Sequence, residues 1–438
     1  MEPNSIDTVI TDPPYGLKFM GRNWDHNVPG IPFWEAILRV AKPGSTLLAF
    51  GGTRTFHRLA CAIEDSGWIL RDCIMWLYGS GFPKSLDISK QIDKAAGAER
   101  EVVGEYVWPD GKGRNPEVHK TKRSGIYSDI KTDDSPNDRR ITAPATPEAA
   151  LWDGWGTGIK PSWEPIIVAQ KPLDGTFAEN ALKYGVAGFW IEGGRIGTDD
   201  TRGKASPTTL GVMNDDGWEP KPVIAGSSSG RWPANLILDE EAAAALDAQS
   251  GTTTTHPGDR DLSERKGESI FFDGYHTPDT SYSDTGGPSR FFFCTKASRA
   301  EREAGLDDLP PSSREEITGR KLDSLGQDNP RAGVRAEGEI RNTHPTVKPL
   351  DLMRYLARLT RTPSGGIVLD PFMGSGSTGM GCVIEDRDFI GIEIDRSSYL
   401  IAEKRIEWTE KNKMKLKFDD KKPKKKIETG FDFFDSEK

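Results

Sequence analysis

Two short segments of this 438-residue sequence carry residue types suited to chemistry. The first, Thr11-Asp12-Pro13-Pro14-Tyr15-Gly16, follows the β-branched run Ile6-Asp7-Thr8-Val9-Ile10. A carboxylate accepts hydrogen bonds without donating, and prolines fix φ at about −65° and remove backbone donors, so the Pro13 carbonyl points in a set direction. Asp12 and that carbonyl can therefore take the two hydrogens of an exocyclic amine, whose lone pair is otherwise delocalised into its ring. The nitrogen becomes pyramidal and its lone pair can face an electrophilic carbon such as a sulfonium methyl. No strong general base is needed, because the proton can leave after transfer. Tyr15 offers a flat face for an extruded base. The blander alternatives are an Asx turn at Asp12 and a core aromatic at Tyr15.

The second segment runs Asp370-Pro371-Phe372-Met373-Gly374-Ser375-Gly376-Ser377-Thr378-Gly379. Gly374, Gly376 and Gly379 have the G-x-G-x-x-G spacing that brings backbone close to a nucleotide cofactor. Glu393 follows about twenty residues on, at the end of the next predicted strand, where a carboxylate can bond ribose hydroxyls. A dinucleotide site or a tight packing turn would look similar. A P-loop fits less well, because no Lys precedes the Ser or Thr that would touch magnesium.

Strands and helices must position these loops. Hydrophobic spacing predicts strands over 6–10, 45–50 and 68–77 and helices over 33–40, 54–65 and 86–96, an alternation that implies βαβ units and a parallel sheet. The pattern returns with helices over 350–360, 377–385 and 397–411 and strands over 366–369 and 389–393. Between them the texture is rich in Gly, Pro, Ser and Thr. Strands are predicted there over 165–170, 235–238 and 290–295, helices over 240–249 and 299–305, and long loops over 111–147 and 252–288. The expected division is 1–96 as one half of a core, 97–342 as a central insertion contributing some core strands, 343–411 as the second half, and 412–438 as a Lys-rich, solvated tail. Ligands of open α/β sheets bind outside the carboxyl ends of the strands, so the two loops can share one crevice.

Composition narrows the class. No apolar run approaches the ~18 residues of a membrane span, and Met1-Glu2-Pro3-Asn4-Ser5 lacks the basic and apolar regions of an export signal, so a cytoplasmic protein without membrane contact is expected. Cys61, Cys73, Cys294 and Cys382 form no C-x-x-C pair, which argues against a zinc ribbon or a disulfide framework, and no metal is expected. A formal charge of −9 is awkward for a nucleic-acid binder, but Lys112, Arg114, Lys120, Lys122, Arg123, Arg139 and Arg140 form a locally basic stretch, with a second over 411–426.

The pair D-P-P-Y and D-P-F-x-G-S-G-[ST], in that order, resembles the β class of DNA amino-methyltransferases, in which the catalytic motif precedes the cofactor motif. The similarity extends to His344-Pro345-Thr346-Val347-Lys348-Pro349, to Gly391-Ile392-Glu393-Ile394-Asp395, and to Tyr399 and Arg405, covering about residues 6–90 and 340–408. The blocks 160–172, 231–239 and 291–302 are similar to stretches of bacterial and prophage-type members. The resemblance implies a Rossmann-like, doubly wound, mostly parallel α/β sheet with permuted motif order. It also implies S-adenosyl-L-methionine as cofactor. Asp12, Pro13, Pro14 and Tyr15 would hold the target amine. Asp370, Phe372, Gly374, Ser375 and Gly376 would surround the cofactor's methionine moiety, with Thr346 and Lys348 near its carboxylate and Glu393 on its ribose. Lys348 as a solvent residue at a helix start is the alternative.

Asp at the first motif position goes mainly with adenine N6 and Ser with cytosine N4. The resemblance thus implies a site-specific adenine-N6 methyltransferase of restriction-modification type, acting on a flipped base of double-stranded DNA. Cytosine N4, or a non-catalytic DNA-binding derivative, is the alternative, and a homodimer is left open. Carbon-5 methylation would need a Pro-Cys nucleophile, which none of the cysteines provides. In the family a strand with a Gly-Asp pair commonly precedes the D-P-P-Y strand and helps hold the cofactor's adenine. Here the sequence begins almost at that strand, so the true start lies further upstream, or the sequence is a fragment, or another segment covers the adenine.

Overall fold

The β-branched run before Asp12 forms β1 (Ile6–Thr11), every residue of which is buried. The computed structural model describes residues 1–17, 25–79, 81, 85–105, 140–197, 230–255, 284–295, 299–311 and 340–419. A helix, Ile31–Val40, leads from β1 to β2 (Ala41–Phe50), and a second, Phe56–Asp65, leads on to β3 (Ile69–Leu77). The first begins two residues before the predicted Phe33 because Pro32, preset for helical φ, occupies its first turn. A third helix, Ile88–Ala96, is capped by the Asp87 carboxylate at one end and by left-handed Gly97 at the other.

The central region is more ordered than its texture suggests. It contains the hairpin β4 (Val102–Glu105) with β5 (Arg140–Thr142), a short helix Pro147–Leu151 and β6 (Trp163–Gln170). Further on come β7 (Leu236–Asp239), the helix Glu240–Ser250 and the hairpin β8 (Thr253–Thr255) with β9 (Asp284–Gly286). The loops predicted over 111–147 and 252–288 are thus partly paired, since three-residue strands are too short to show a period. The strand predicted over 290–295 is also corrected. Pro288 opens a 3₁₀ turn, Pro288–Phe291, and only β10 (Phe293–Thr295) is extended.

After the helix Leu350–Leu359, β11 (Ile367–Asp370), the helix Ser377–Ile384 and β12 (Asp388–Gly391) complete the sheet. The last helix runs Arg396–Asp419, past the Lys411 at which a solvated tail was expected. Lys and Glu are good helix formers, and Leu416 still finds an apolar partner cluster in Leu350, Met380 and Ile384. Residues 420–438 lie outside the described residues.

The sheet has eight strands in the order β10-β7-β3-β6-β2-β1-β11-β12, all parallel to their neighbours except β6, which runs against both β2 and β3. Successive side chains alternate between its two faces. Ile10, Leu48, Phe50, Ile166, Val168 and Val368 join one core cluster with the helix Leu350–Leu359. Val9, Leu47, Ala49, Ile167, Ala169 and Leu369 join the other, with the helices Ile31–Val40 and Phe56–Asp65. Helices therefore cover both faces, as the doubly wound expectation requires. Connections leave β1 and β11 in opposite directions along the sheet, and a crevice opens beyond their carboxyl ends. Among the described residues no helix is long and apolar enough to cross a membrane.

Candidate active site

β1 and β11 are adjacent and in register, Thr8 against Val368 and Val9 against Leu369, so the two motifs emerge side by side. Thr11 Oγ1 donates to Asp370 Oδ1 at 2.8 Å and ties them together. Thr378 Oγ1 donates to the other Asp370 oxygen at 2.5 Å, and the Phe372 N–H donates back at 3.1 Å. Burial raises the Asp370 carboxyl to about 6 despite these bonds. Asp370 thereby shapes the turn that leaves β11.

The turn itself is a cradle. Gly374 and Gly376 have φ of +55° and +82°. A Cβ on Gly374 would stand 2.8 Å from His344 Nε2, and one on Gly376 would stand 2.9 Å from the Ala402 backbone. Buried Arg405, from the last helix, donates to the Ser375 hydroxyl at 3.1 Å and to the Ser375 carbonyl. Gly374 N–H donates to Glu393 Oε2 at 2.8 Å, which aims that carboxylate at the loop. Phe372 stacks on Phe33 with centroids 4.7 Å apart. The cradle also leaves a polar group over: His344 Nδ1 is buried with no hydrogen-bond partner among the described residues, and burial pushes the imidazole down to about 4.

The D-P-P-Y segment forms the facing wall. Tyr15 Oη donates to Asp12 Oδ1 at 2.8 Å and lies 3.1 Å from Glu164 Oε2. The Lys348 ammonium contacts Asp12 Oδ2 at 2.8 Å, Tyr15 Oη at 3.1 Å and Glu164 Oε2 at 3.3 Å. Burial, then Asp12 and Glu164, raise the Tyr15 phenol well above its ordinary value. For Lys348 burial works the other way, but the two carboxylates outweigh it and raise the ammonium above its ordinary value. Beyond the motif, Asp25 accepts from the backbone N–H of Gly16 and Leu17 and pins the loop.

One cavity of about 1210 Å³ connects the two walls. Asp12, Pro13, Pro14 and Tyr15 line it, as do Thr346, Lys348, Asp370, Phe372, Gly374, Ser375 and Glu393. Gly376 does not; its part is to let the loop close on the last helix. A family model described as DNA methylase of the N6/N4 type matches residues 6–404. The chain belongs to the N6/N4 DNA methylase family.

Curated relatives of this chain match over short stretches. Type II methyltransferase M2.MboI of Moraxella bovis is 50% identical over 50 residues, 11% of this chain and 18% of that protein. Type II methyltransferase M2.DpnII of Streptococcus pneumoniae is 44% identical over 64 residues, 15% and 24% of the two chains. DNA adenine methyltransferase YhdJ of Escherichia coli is 47% identical over 57 residues, 13% and 19%. The matched stretches thus span at most 24% of these relatives' own length. Among solved structures, PvuII DNA methyltransferase (cytosine-N4-specific) aligns over 95% of this chain and 88% of its own with 11% identity and a TM-score of 0.37.

Some cavity residues of this chain are not singled out by its sequence. Glu164 stands one position before the predicted strand 165–170, yet it belongs to β6 and faces the cavity. Trp76 of β3 is its cross-strand partner and also lines the cavity, with a buried indole N–H that finds no acceptor among the described residues. Leu309, Pro310 and Pro311, from the central region, form part of the wall, held by the 2.8 Å bond from Arg341 Nε to the Leu309 carbonyl. The basic stretch over 112–139 lies outside the described residues, while Arg140 is exposed at the end of β5.

Proposed function

We propose that the chain transfers a methyl group from S-adenosyl-L-methionine to an exocyclic amine of a base flipped out of double-stranded DNA, adenine N6 rather than cytosine N4. The single observation that carries this reading is the Thr11 to Asp370 hydrogen bond, which makes the D-P-P-Y segment and the glycine loop two walls of one cavity. The cradle fits the cofactor, with the glycine turn for its methionine end and Glu393 for its ribose. It has two left-handed glycines that tolerate no side chain, the carboxylate of Glu393 beside the loop, and the His344 nitrogen that has no partner among the described residues. When bound, S-adenosyl-L-methionine supplies an electrophilic methyl on a sulfonium.

The protein's own part is to position the nucleophile. The two Asp12 oxygens each take one bond within the protein, from Tyr15 and from Lys348. A carboxylate oxygen accepts more than one hydrogen bond, so Asp12 retains capacity for an amine hydrogen, while the Pro13 carbonyl takes the other. The cavity of about 1210 Å³ has room for a cofactor together with a nucleotide. Flipping costs a few kcal/mol of unstacking, which phosphate contacts from the region 97–342, with 112–140 as the leading stretch, would offset. The reading carries a cytoplasmic location and a restriction-modification setting.

The test is direct. Duplex DNA is incubated with the protein and S-adenosyl-L-methionine labelled on the methyl, then digested to nucleosides. Labelled N6-methyladenine is the expected product. Labelled N4-methylcytosine would overturn the choice of base, and cofactor binding without any labelled nucleoside would overturn the reaction.

A further inference from the structure

The cavity holds more charge than gripping an amine requires. Lys348 has three N–H donors, and each finds an acceptor: Asp12 at 2.8 Å, Tyr15 Oη at 3.1 Å and Glu164 at 3.3 Å. Its ammonium therefore sits on the residue that should receive the target amine and, like that amine, donates to it. The two nitrogens compete for Asp12, and in a buried site a full charge outbids a neutral amine. The ammonium is 10% exposed, so water does little to weaken its hold.

Glu164 is the counterweight. It lies on β6, the strand that runs against its neighbours, and its Oε2 is within reach of both Lys348 Nζ and Tyr15 Oη. The Tyr15 hydroxyl has one proton to give, to Asp12 or to Glu164. Replacing Glu164 by a neutral residue would leave the ammonium to Asp12 and Tyr15, so that the carboxylate holds an incoming donor more weakly.

We propose that Glu164 is a positioning residue for methyl transfer, drawing the Lys348 ammonium to one side of Asp12 so that the carboxylate stays open to the target amine. In this role Glu164 acts through Lys348. This rests on the amine-methylation reading above.

The experiment is single-turnover methylation of duplex DNA by the full chain at saturating S-adenosyl-L-methionine. The proteins compared are wild type, Glu164→Gln, Glu164→Asp, Lys348→Met and the double variant Glu164→Gln/Lys348→Met, with the cofactor dissociation constant measured for each. Glu164→Gln is expected to slow transfer by about 10- to 100-fold, the range for losing a charged hydrogen-bond partner, with cofactor affinity close to wild type. Glu164→Asp should recover part of the rate. The double variant should be faster than Glu164→Gln alone, because the competing ammonium has gone with its counterweight. A double variant no faster than Glu164→Gln, or a Glu164→Gln rate equal to wild type, overturns the proposal. Loss of cofactor affinity in both Glu164 variants would mark Glu164 as structural and overturn it too. A wild-type protein that transfers no methyl group fails the parent reading, and this one with it.

Discussion

In the proposed reaction Asp12 holds the target amine, and its surroundings set what a substitution should do. Both of its oxygens are already engaged, one by a neutral hydroxyl and one by an ammonium, so its orientation is fixed before substrate arrives. Asp12→Ala removes the acceptor and leaves Lys348 with Glu164 and Tyr15. Single-turnover rates should fall by at least about 10²-fold, in line with deletion of one preorganised electrostatic contact, with cofactor affinity changed far less. Equal activity would remove Asp12 from the mechanism. His344 gives a second test at this scale, because burial lowers its imidazole from 6.5 to about 4. The unfolded chain binds that proton more readily, so the stability tied to neutral His344 is present above about pH 6.5 and is lost as pH falls toward 4. That gap is worth roughly 3 kcal/mol at about 1.4 kcal/mol per unit. Asp370 works in the opposite sense. Its carboxyl is raised from 3.8 to about 6, so its contribution declines as pH rises through that window. Urea unfolding from pH 7 to pH 4 should therefore show wild type losing more stability than His344→Gln, which keeps the Asp370 effect alone. Parallel curves would mean the imidazole is not desolvated.

At the scale of elements, the glycine loop depends on how closely the last helix approaches it. Gly376 combines a left-handed backbone with contact to the Ala402 main chain, so Gly376→Ala meets both a conformational and a steric penalty. A residue forced into such a conformation costs about 1–3 kcal/mol, and the loop can relieve the contact only by moving away from Arg405. The variant should lose that much stability in denaturant titrations and bind S-adenosyl-L-methionine at least about tenfold more weakly by the same conversion. Unchanged affinity would mean that loop geometry does not set the cofactor site. This scale is also where sequence patterning reads most faithfully. The strands and helices around both motifs stand within a few residues of their predicted positions, because buried faces impose period 2 or 3.6 on long segments. It fails for the short hairpins, and it fails at the carboxyl end, where Leu416 extends a helix through a Lys-rich stretch that composition alone assigns to solvent.

For the whole molecule the open matter is how a protein of formal charge −9 holds DNA. The described core places its cavity at the carboxyl edge of the sheet, and on the proposed reading a duplex delivering a flipped base approaches from that side. If the stretch ending at Arg139 and Arg140 supplies phosphate contacts, Arg139→Glu/Arg140→Glu should weaken binding. It should also lower the slope of log affinity against log salt by about 1.8, or about 0.9 for each lost contact. An unchanged slope would assign backbone contact to another surface. Methyl transfer to a free single-stranded oligonucleotide should be less affected, since no duplex has to be opened.

The sequence by itself determined the two motifs, their order, and a core drawn from both ends of the chain, because local spacing of residue types records which faces are buried and which turns are tight. Only the tertiary structure decided what the motifs meet. Glu164 lies one residue outside a strand recognisable by its apolar run, and nothing local distinguishes its carboxylate from a surface one. The antiparallel insertion of β6 between β2 and β3 carries it into the cavity opposite Trp76. The resemblance alone sends Lys348 toward a cofactor carboxylate, whereas its ammonium stands on Asp12 and Glu164. Charges brought together from remote parts of a chain acquire their partners from sheet order and register, and those are properties of the assembled fold.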